Sequence, residues 1–331
     1  MNRDSQLTLP PAPNLIGAIR SGFDAIANHV ILILFPIALD LFLWTGPRLK
    51  LTGLIKTTSD QLFKVYSLQD PGMAELIQPV QEAWTVIAEQ FNLLALLRTY
   101  PVGITSLLVS QLPLSSPFGI LASWEIGSFG GAFIAFILIA IAGIALGTFY
   151  FQAIAQAAID GNISWGQALE RWPRASLQMV YLAIMWFVLL IFITIPGSFL
   201  LSLLLLSGVS YGQCALLIFV GIVFWLILPL VFSPHGIVMN QNNFFTSLKV
   251  SVKLTRRTLP TTVLFVLAIF LLSKGLDILW LVPSETSWLL IVGILGHAFV
   301  TTALIASSFV YYRDALRWMR EMVRSRNIKT I

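Results

Sequence analysis

Six long apolar runs decide what this chain can fold into. They lie at about 26–44, 131–151, 179–200, 215–232, 261–281 and 288–311. Each is close to the roughly 20 residues a helix needs to cross about 30 Å of hydrocarbon. Inside lipid no water satisfies backbone N–H and C=O groups, so a spanning segment must close its hydrogen bonds within itself, as a helix does. Composition leaves no soluble alternative: 57% of the 331 residues are hydrophobic and 11% are charged, against about 25% charged in an ordinary soluble domain. The expected fold class is all-α, a polytopic transmembrane helical bundle of about six spans.

The first run follows a mixed-charge segment holding Arg3, Asp4, Arg20 and Asp24, and it contains Pro36 and Asp40. With no small-residue cleavage site after it, it reads as a retained span rather than a signal peptide. The third run is interrupted at Pro196 and Gly197 but stays apolar to Leu206, so a bent helix and a short re-entrant continuation over 198–206 both fit. The lone cysteine, Cys214, sits in an apolar run and reads as a small core residue, without disulfide or metal spacing.

Cations in the short loops orient the bundle. The loops at about 207–212 and 282–287 hold no Lys or Arg, whereas the other side holds Arg171, Arg174, Lys249, Lys253, Arg256 and Arg257. The tail adds Arg313, Arg317, Arg320, Arg324, Arg326 and Lys329. The positive-inside rule then expects a cytoplasmic C-terminus, and an even span count a cytoplasmic N-terminus, in a bacterial cytoplasmic (inner) membrane. Trp44, Trp124, Trp280 and Trp288 at the expected outer boundaries, with Trp165, Trp172 and Trp318 near inner ones, suit the headgroup preference of indole. The net charge of +5 therefore belongs to membrane topology, and no nucleic acid is expected as a partner.

Three regions follow: a cytoplasmic segment 1–25 with an amphipathic helix, a membrane domain 26–312, and a basic cytoplasmic tail 313–331. Within the second, 46–130 reads as an external cap of two or three amphipathic helices. Leu51, Leu54, Ile55, Leu62 and Phe63 recur at helical spacing, as do Leu76, Val80, Trp84, Ile87 and Phe91; Pro71–Gly72 and Tyr100–Pro101 separate the pieces. The apolar stretch 102–112 is too short to span and reads as re-entrant or interfacial. On the basic side, Phe244, Leu248 and Val252, with Phe245 beside them, form one helical stripe and Lys249, Lys253 and Arg256 another. The tail repeats this with Leu316, Met319 and Val323 against Arg313, Arg317, Arg320 and Arg324. These seven cations and Arg257 are candidate contacts for anionic lipid headgroups, each worth about 1 kcal/mol near the surface.

A unit of one amphipathic helix followed by two spans recurs from about 14–28, 164–176 and 243–259. Two of its starts read Ile163-Ser-Trp-Gly-Gln-Ala-Leu169 and Phe244-Phe-Thr-Ser-Leu-Lys-Val250, each after a polar turn, Asp160-Gly-Asn162 and Asn240-Gln-Asn242. Over about 149–312 this pattern resembles six-span bacterial inner-membrane families related to the membrane domain of some glycerophosphodiester phosphodiesterases. The resemblance implies a pseudo-symmetric helical bundle. It implies no phosphodiesterase activity, because that catalytic domain is not in this sequence, and the 46–130 insertion departs from the compact pattern.

Ionisable groups within spans are costly and are functional candidates by default. Here they are Asp40, Lys274, Asp277 and His297. Lys274 and Asp277 are spaced to pair on one helix face, and Asp40 is expected to approach Lys274, joining spans one and five. The cluster reads as a neutralised structural pair, as a polar pocket under the cap, or as a proton relay. His29 and His235 read as solvated inner-boundary residues. Gly143 and Gly147 suit close contact within the bundle or in a homodimer. No catalytic, metal or cofactor pattern is present: the three histidines are scattered and no Gly-x-Ser-x-Gly or phosphate loop appears. The leading functional reading is a non-enzymatic accessory, scaffold or assembly component whose partners are membrane lipids and other membrane subunits. The alternatives are a permease-like handler of a lipid or small amphiphile, and an intramembrane enzyme should Asp40, Asp277 and His297 converge.

Overall fold

The computed structural model describes residues 12–69, 74–206 and 212–329. It is an all-α bundle. Five helices are long and apolar enough to cross a membrane, and a sixth candidate span is bent. Its helices are α1 (Leu15–Asn28), α2 (Leu34–Thr45), α3 (Thr52–Gln69), α4 (Ala74–Gln90), α5 (Phe129–Ile159), α6 (Trp165–Leu206), α7 (Gly212–Ile227), α8 (Ser233–Asn240), α9 (Phe244–Arg257), α10 (Leu259–Trp280) and α11 (Leu290–Lys329).

Helix α11 is the pillar. Two thirds of its most apolar window (67%) is buried inside the protein, against 11% in each of the other four long spans. Those four present flanks of exposed Leu, Ile, Val and Phe, the surface expected where acyl chains are the solvent. At 40 residues α11 is about 60 Å long, so the sixth span and the basic tail are one helix, with no break at 312. Its close neighbours use small residues: Gly22 of α1 meets Ser307 and the Ala303 carbonyl, and Gly293 and Gly296 of α11 itself meet Trp280.

Three expected spans take a different form. The first is not one helix: α1 and the stretch Val30–Thr45 meet at 93°, with His29 outside helical geometry at φ −131°. Pro36 explains the break, since its ring excludes the carbonyl four residues earlier from α geometry, yet in the first turn of α2 its missing N–H costs nothing. The third span and the amphipathic segment before it fuse into α6, which runs through Pro173 and Pro196. No break or re-entrant turn occurs at Pro196–Gly197, because Gly197 packs on the Phe219 ring of α7 and a packed neighbour stabilises a proline-bearing membrane helix. The fourth span extends as Cys214–Asn240 through a 3-10 turn at Leu228–Leu230. There Ser251 of α9 donates to the Pro229 carbonyl (2.7 Å) and accepts from Phe232 N (3.1 Å), restoring bonds the turn leaves open. Cys214 is exposed on this peripheral helix rather than in the core.

The insertion forms a helical hairpin of α3 and α4, pinned by Lys56–Glu89 at 2.9 Å; Lys56 holds the Glu89 carboxyl below its usual range. It also contains short strands that helical periodicity does not reveal. Arg48–Lys50 (β1) pairs in parallel with Ser123–Glu125 (β4), and Ser115–Ser116 (β2) pairs antiparallel with Gly119–Ile120 (β3). Arg48 is only 2% exposed; its Nη2 donates to Gln90 O at 2.5 Å, capping the α4 C-terminus. Burial pulls this guanidinium below its usual range while Glu285 opposes that shift.

At the basic end the buried face of α9 is Ser247, Ser251, Leu254 and Thr255, not the Phe244–Leu248–Val252 stripe. Small hydroxyl residues let α9 approach Gly236 of α8. This leaves the apolar stripe half-buried and Phe245, Lys249, Lys253, Arg256 and Arg257 exposed. Arg317, Arg320 and Arg324 are exposed too, whereas Arg313 pairs with Asp314 at 2.8 Å. Gln241 closes α8 in the left-handed region at φ +50°, a conformation that costs a side-chain-bearing residue about 1–2 kcal/mol. Gln241→Gly should therefore stabilise the protein by about 0.5–1 kcal/mol after the entropy glycine restores to the unfolded chain. Thermal unfolding in detergent measures it; a lower midpoint than wild type would contradict the assignment.

Candidate functional site

The segment 98–112 is neither span nor surface helix. Val102, Ile104, Leu107 and Leu108 are buried, in irregular backbone and a 3-10 turn at Leu108–Ser110. Thr105 meets Thr301 of α11 at 2.9 Å, about 16 Å along that helix from Leu290. Irregular backbone survives at such depth only when protein satisfies it, and Asp40 does so. Its carboxylate is fully buried and accepts from Ser106 Oγ (2.5 Å), Leu107 N (3.0 Å) and Leu108 N (3.1 Å). Asp40 therefore does not pair with Lys274: three donors from 106–108 occupy its oxygens. Gly143 and Gly147 receive the same segment. A Cβ on Gly143 would fall 2.8 Å from Leu97 O, and one on Gly147 2.6 Å from Gly103 Cα. Their contact is with the chain's own loop.

The other three candidate groups come together. Lys274 Nζ donates to Asp277 Oδ2 at 3.0 Å, the i, i+3 pair expected from spacing, and His297 Nδ1 lies 2.7 Å from Asp277 Oδ1. His297 is 2% exposed, and its Nε2 has no hydrogen-bond partner. Lys274 and His297 line a cavity of about 410 Å³ bounded by α8, α10, α11 and the 98–105 segment. Phe270 (57% exposed), Tyr100 (78%) and Lys274 are exposed residues of its lining, so the cavity is open along the apolar flank of α10 as well as toward the cap.

Polarity is segregated along this cavity. Arg98, Tyr100, Thr105, Ser273, Lys274, His297 and Thr301 lie toward the cap end; Phe265, Ile269, Leu304 and Ile305 form apolar wall. His235 and Ser308 sit at the far end, Ser308 about 27 Å along α11 from Leu290. His235 is not a solvated boundary residue. It is 6% exposed, packed 4.6 Å from the Phe309 ring and within 2.7 Å of Ser308 Oγ. Trp44 likewise leaves the headgroup role for the core: it is fully buried, edge-on to Trp288, and donates to Glu285 O at 2.6 Å.

Sequence reasoning missed Arg98, Thr105, Thr301, His235 and Ser308 as cavity residues. One signal was readable: His297, Thr301 and Ser308 fall at i, i+4 and i+11, a polar stripe on an otherwise apolar helix. Asp40, Asp277 and His297 do not converge on one cavity, since only His297 is in its lining and Asp277 reaches it through His297 and Lys274. No group of three or more His, Cys, Asp or Glu among the described residues could hold a metal ion. A second cavity of about 200 Å³ at the basic end is lined by Arg171, Arg174 and four carboxamides, Gln152, Gln178, Gln241 and Asn242. No protein-family model matches the chain, and no curated protein or solved structure matches it.

Proposed function

We propose that this protein is a permease-like handler of an anionic lipid or comparable small amphiphile, bound in the cavity beside α10 and α11. One observation carries the reading: a cavity opening through the lipid-facing flank, with apolar walls along much of the bilayer depth and cationic groups, Arg98 and Lys274, toward one end. Its volume lies in the range of small-molecule sites, enough for a headgroup and the first part of a chain whose remainder stays among lipids. A purely structural accessory role would call for tight packing around Lys274 and His297. An intramembrane hydrolase would call for Asp40 at the same cavity.

The membrane in this reading is the bacterial cytoplasmic membrane, with both termini in the cytoplasm. Support comes from the cation-free loop at 282–287, which lies at the cap end, where Glu285 meets Leu114 and Ser115. The exposed basic residues of α9 and the α11 tail lie at the other end, where they can contact anionic headgroups.

The test is lipid retention. Native mass spectrometry of the protein purified in mild detergent should detect a bound anionic lipid. Leu304→Trp, which places an indole into the cavity, should reduce retention roughly tenfold or more, as expected if steric exclusion removes at least about 1.4 kcal/mol of binding. Leu267→Trp, on the exposed face of α10, should leave it unchanged. Equal retention in both variants would remove the cavity from the function.

A further inference from the structure

The unpaired nitrogen of His297 specifies what the cavity holds. Asp277 carries Lys274 on one oxygen and His297 Nδ1 on the other. A carboxylate acts only as an acceptor, so Nδ1 carries a proton, and in the neutral form of the ring Nε2 presents a lone pair. That atom is buried without a partner, on a side chain lining the cavity. A neighbouring hydroxyl does not serve it: Thr301 Oγ1 donates to the His297 carbonyl (2.7 Å) and therefore accepts from Thr105 (2.9 Å). A buried acceptor left unpaired is costly, so its natural complement is a donor carried by the ligand.

Charge sets a second requirement. Lys274 and Asp277 neutralise one another across 3.0 Å. Arg98, also on the cavity wall, donates to the Ser106 carbonyl at 3.2 Å and has no ion-pair partner among the described residues. Of the two cations on the lining, Lys274 is thus paired and Arg98 is not, and the carboxylates of Asp277 and Asp40 both lie outside the lining.

We propose that the cavity selects singly charged anionic amphiphiles whose headgroup also bears a hydroxyl, with that hydroxyl donating to His297 Nε2 and the anionic oxygen facing Arg98. A phosphodiester lipid with a polyol headgroup has this chemistry. The inference rests on the amphiphile reading above and narrows it to a headgroup. Asp277 then acts as a positioning residue that holds the imidazole in the accepting tautomer.

The test compares two lipids with identical acyl chains, phosphatidylglycerol and phosphatidylmethanol, which share the phosphodiester charge while only the first has hydroxyl donors. Binding to the full-length protein is measured by native mass spectrometry across a titration. Wild type should retain phosphatidylglycerol about tenfold more strongly, as a buried hydrogen bond to an otherwise unpaired acceptor implies. His297→Leu should abolish the preference while keeping phosphatidylmethanol binding. Equal retention of both lipids by wild type, as when a water satisfies Nε2, overturns the proposal and leaves the amphiphile reading standing. Failure to retain either lipid overturns that reading itself. A preference that survives in His297→Leu also overturns the proposal; should that variant not fold, the wild-type comparison decides. Glycerophosphoglycerol, the same headgroup without chains, should not displace the lipid at equal concentration. Displacement would make the ligand a soluble phosphodiester.

Discussion

Replacing Asp40 with alanine is expected to cost about 3–5 kcal/mol. The carboxylate serves three donors at once, Ser106 Oγ and the amides of Leu107 and Leu108, at 2.5–3.1 Å and with no exposure of the side chain. Each donor left unpaired in a buried setting costs roughly 1–3 kcal/mol, less where the serine hydroxyl rotates to a backbone carbonyl. Against a total stability of about 5–15 kcal/mol, such a loss should release 98–112 from the bundle. Asp40→Asn keeps one accepting oxygen and should fall between alanine and wild type. Thermal midpoints in detergent, with light scattering for monodispersity, provide the ranking. An alanine variant as stable as wild type would show that the segment does not depend on this carboxylate.

Gly147→Ala should destabilise by about 3 kcal/mol, the upper part of the range for overpacking a tight contact. The added methyl would lie 2.6 Å from Gly103 Cα, 2.9 Å from Gly103 N and 3.0 Å from Val102 O. All three are backbone atoms, so no rotamer change relieves the clash and α5 must part from the inserted segment. Gly130→Ala on the same helix meets nothing within 4 Å, and should be neutral or slightly stabilising because alanine favours helix. The pair of variants also separates two meanings of the Gly143/Gly147 motif. If these glycines served a homodimer, Gly147→Ala would lower the oligomeric mass while leaving monomer stability intact. The contact with Gly103 instead calls for lost stability at unchanged mass.

Both predictions concern the same stretch, 98–112, and it is where sequence and structure differ most. A largely apolar stretch such as 102–112 states only that the segment avoids water. Whether it lies on the membrane or enters the bundle depends on partners far away in the chain: Asp40 for its amides, Gly147 for its backbone, Thr301 for its hydroxyl. The same reasoning explains the missed cavity residues. Arg98 looks like one more cation of a polar insertion until the fold brings it beside Lys274 and His297. His235 looks like a boundary residue until Phe232, Phe309 and Tyr312 enclose it. The Lys274–Asp277 contact was legible because it is local, three residues apart on one helix face, whereas the expected Asp40–Lys274 contact relied on shared depth alone.

By itself the sequence determined the class of fold, an all-α bundle, and that about six runs are apolar enough to cross a membrane, of which the structure forms five as long helices and one as a bent pair. Burying 20 apolar residues among acyl chains, with backbone bonds closed inside each segment, is a property of composition and length. Only the tertiary structure decided which helix stands at the centre, where helices break, and which polar groups share a cavity. Those outcomes depend on close packing between residues far apart in the chain, such as Gly22 with Ser307, Tyr150 with Thr302 at 2.7 Å and Asp40 with the 106–108 segment. Hydropathy has no means of recording which apolar face meets protein and which meets lipid, because both are equally dry.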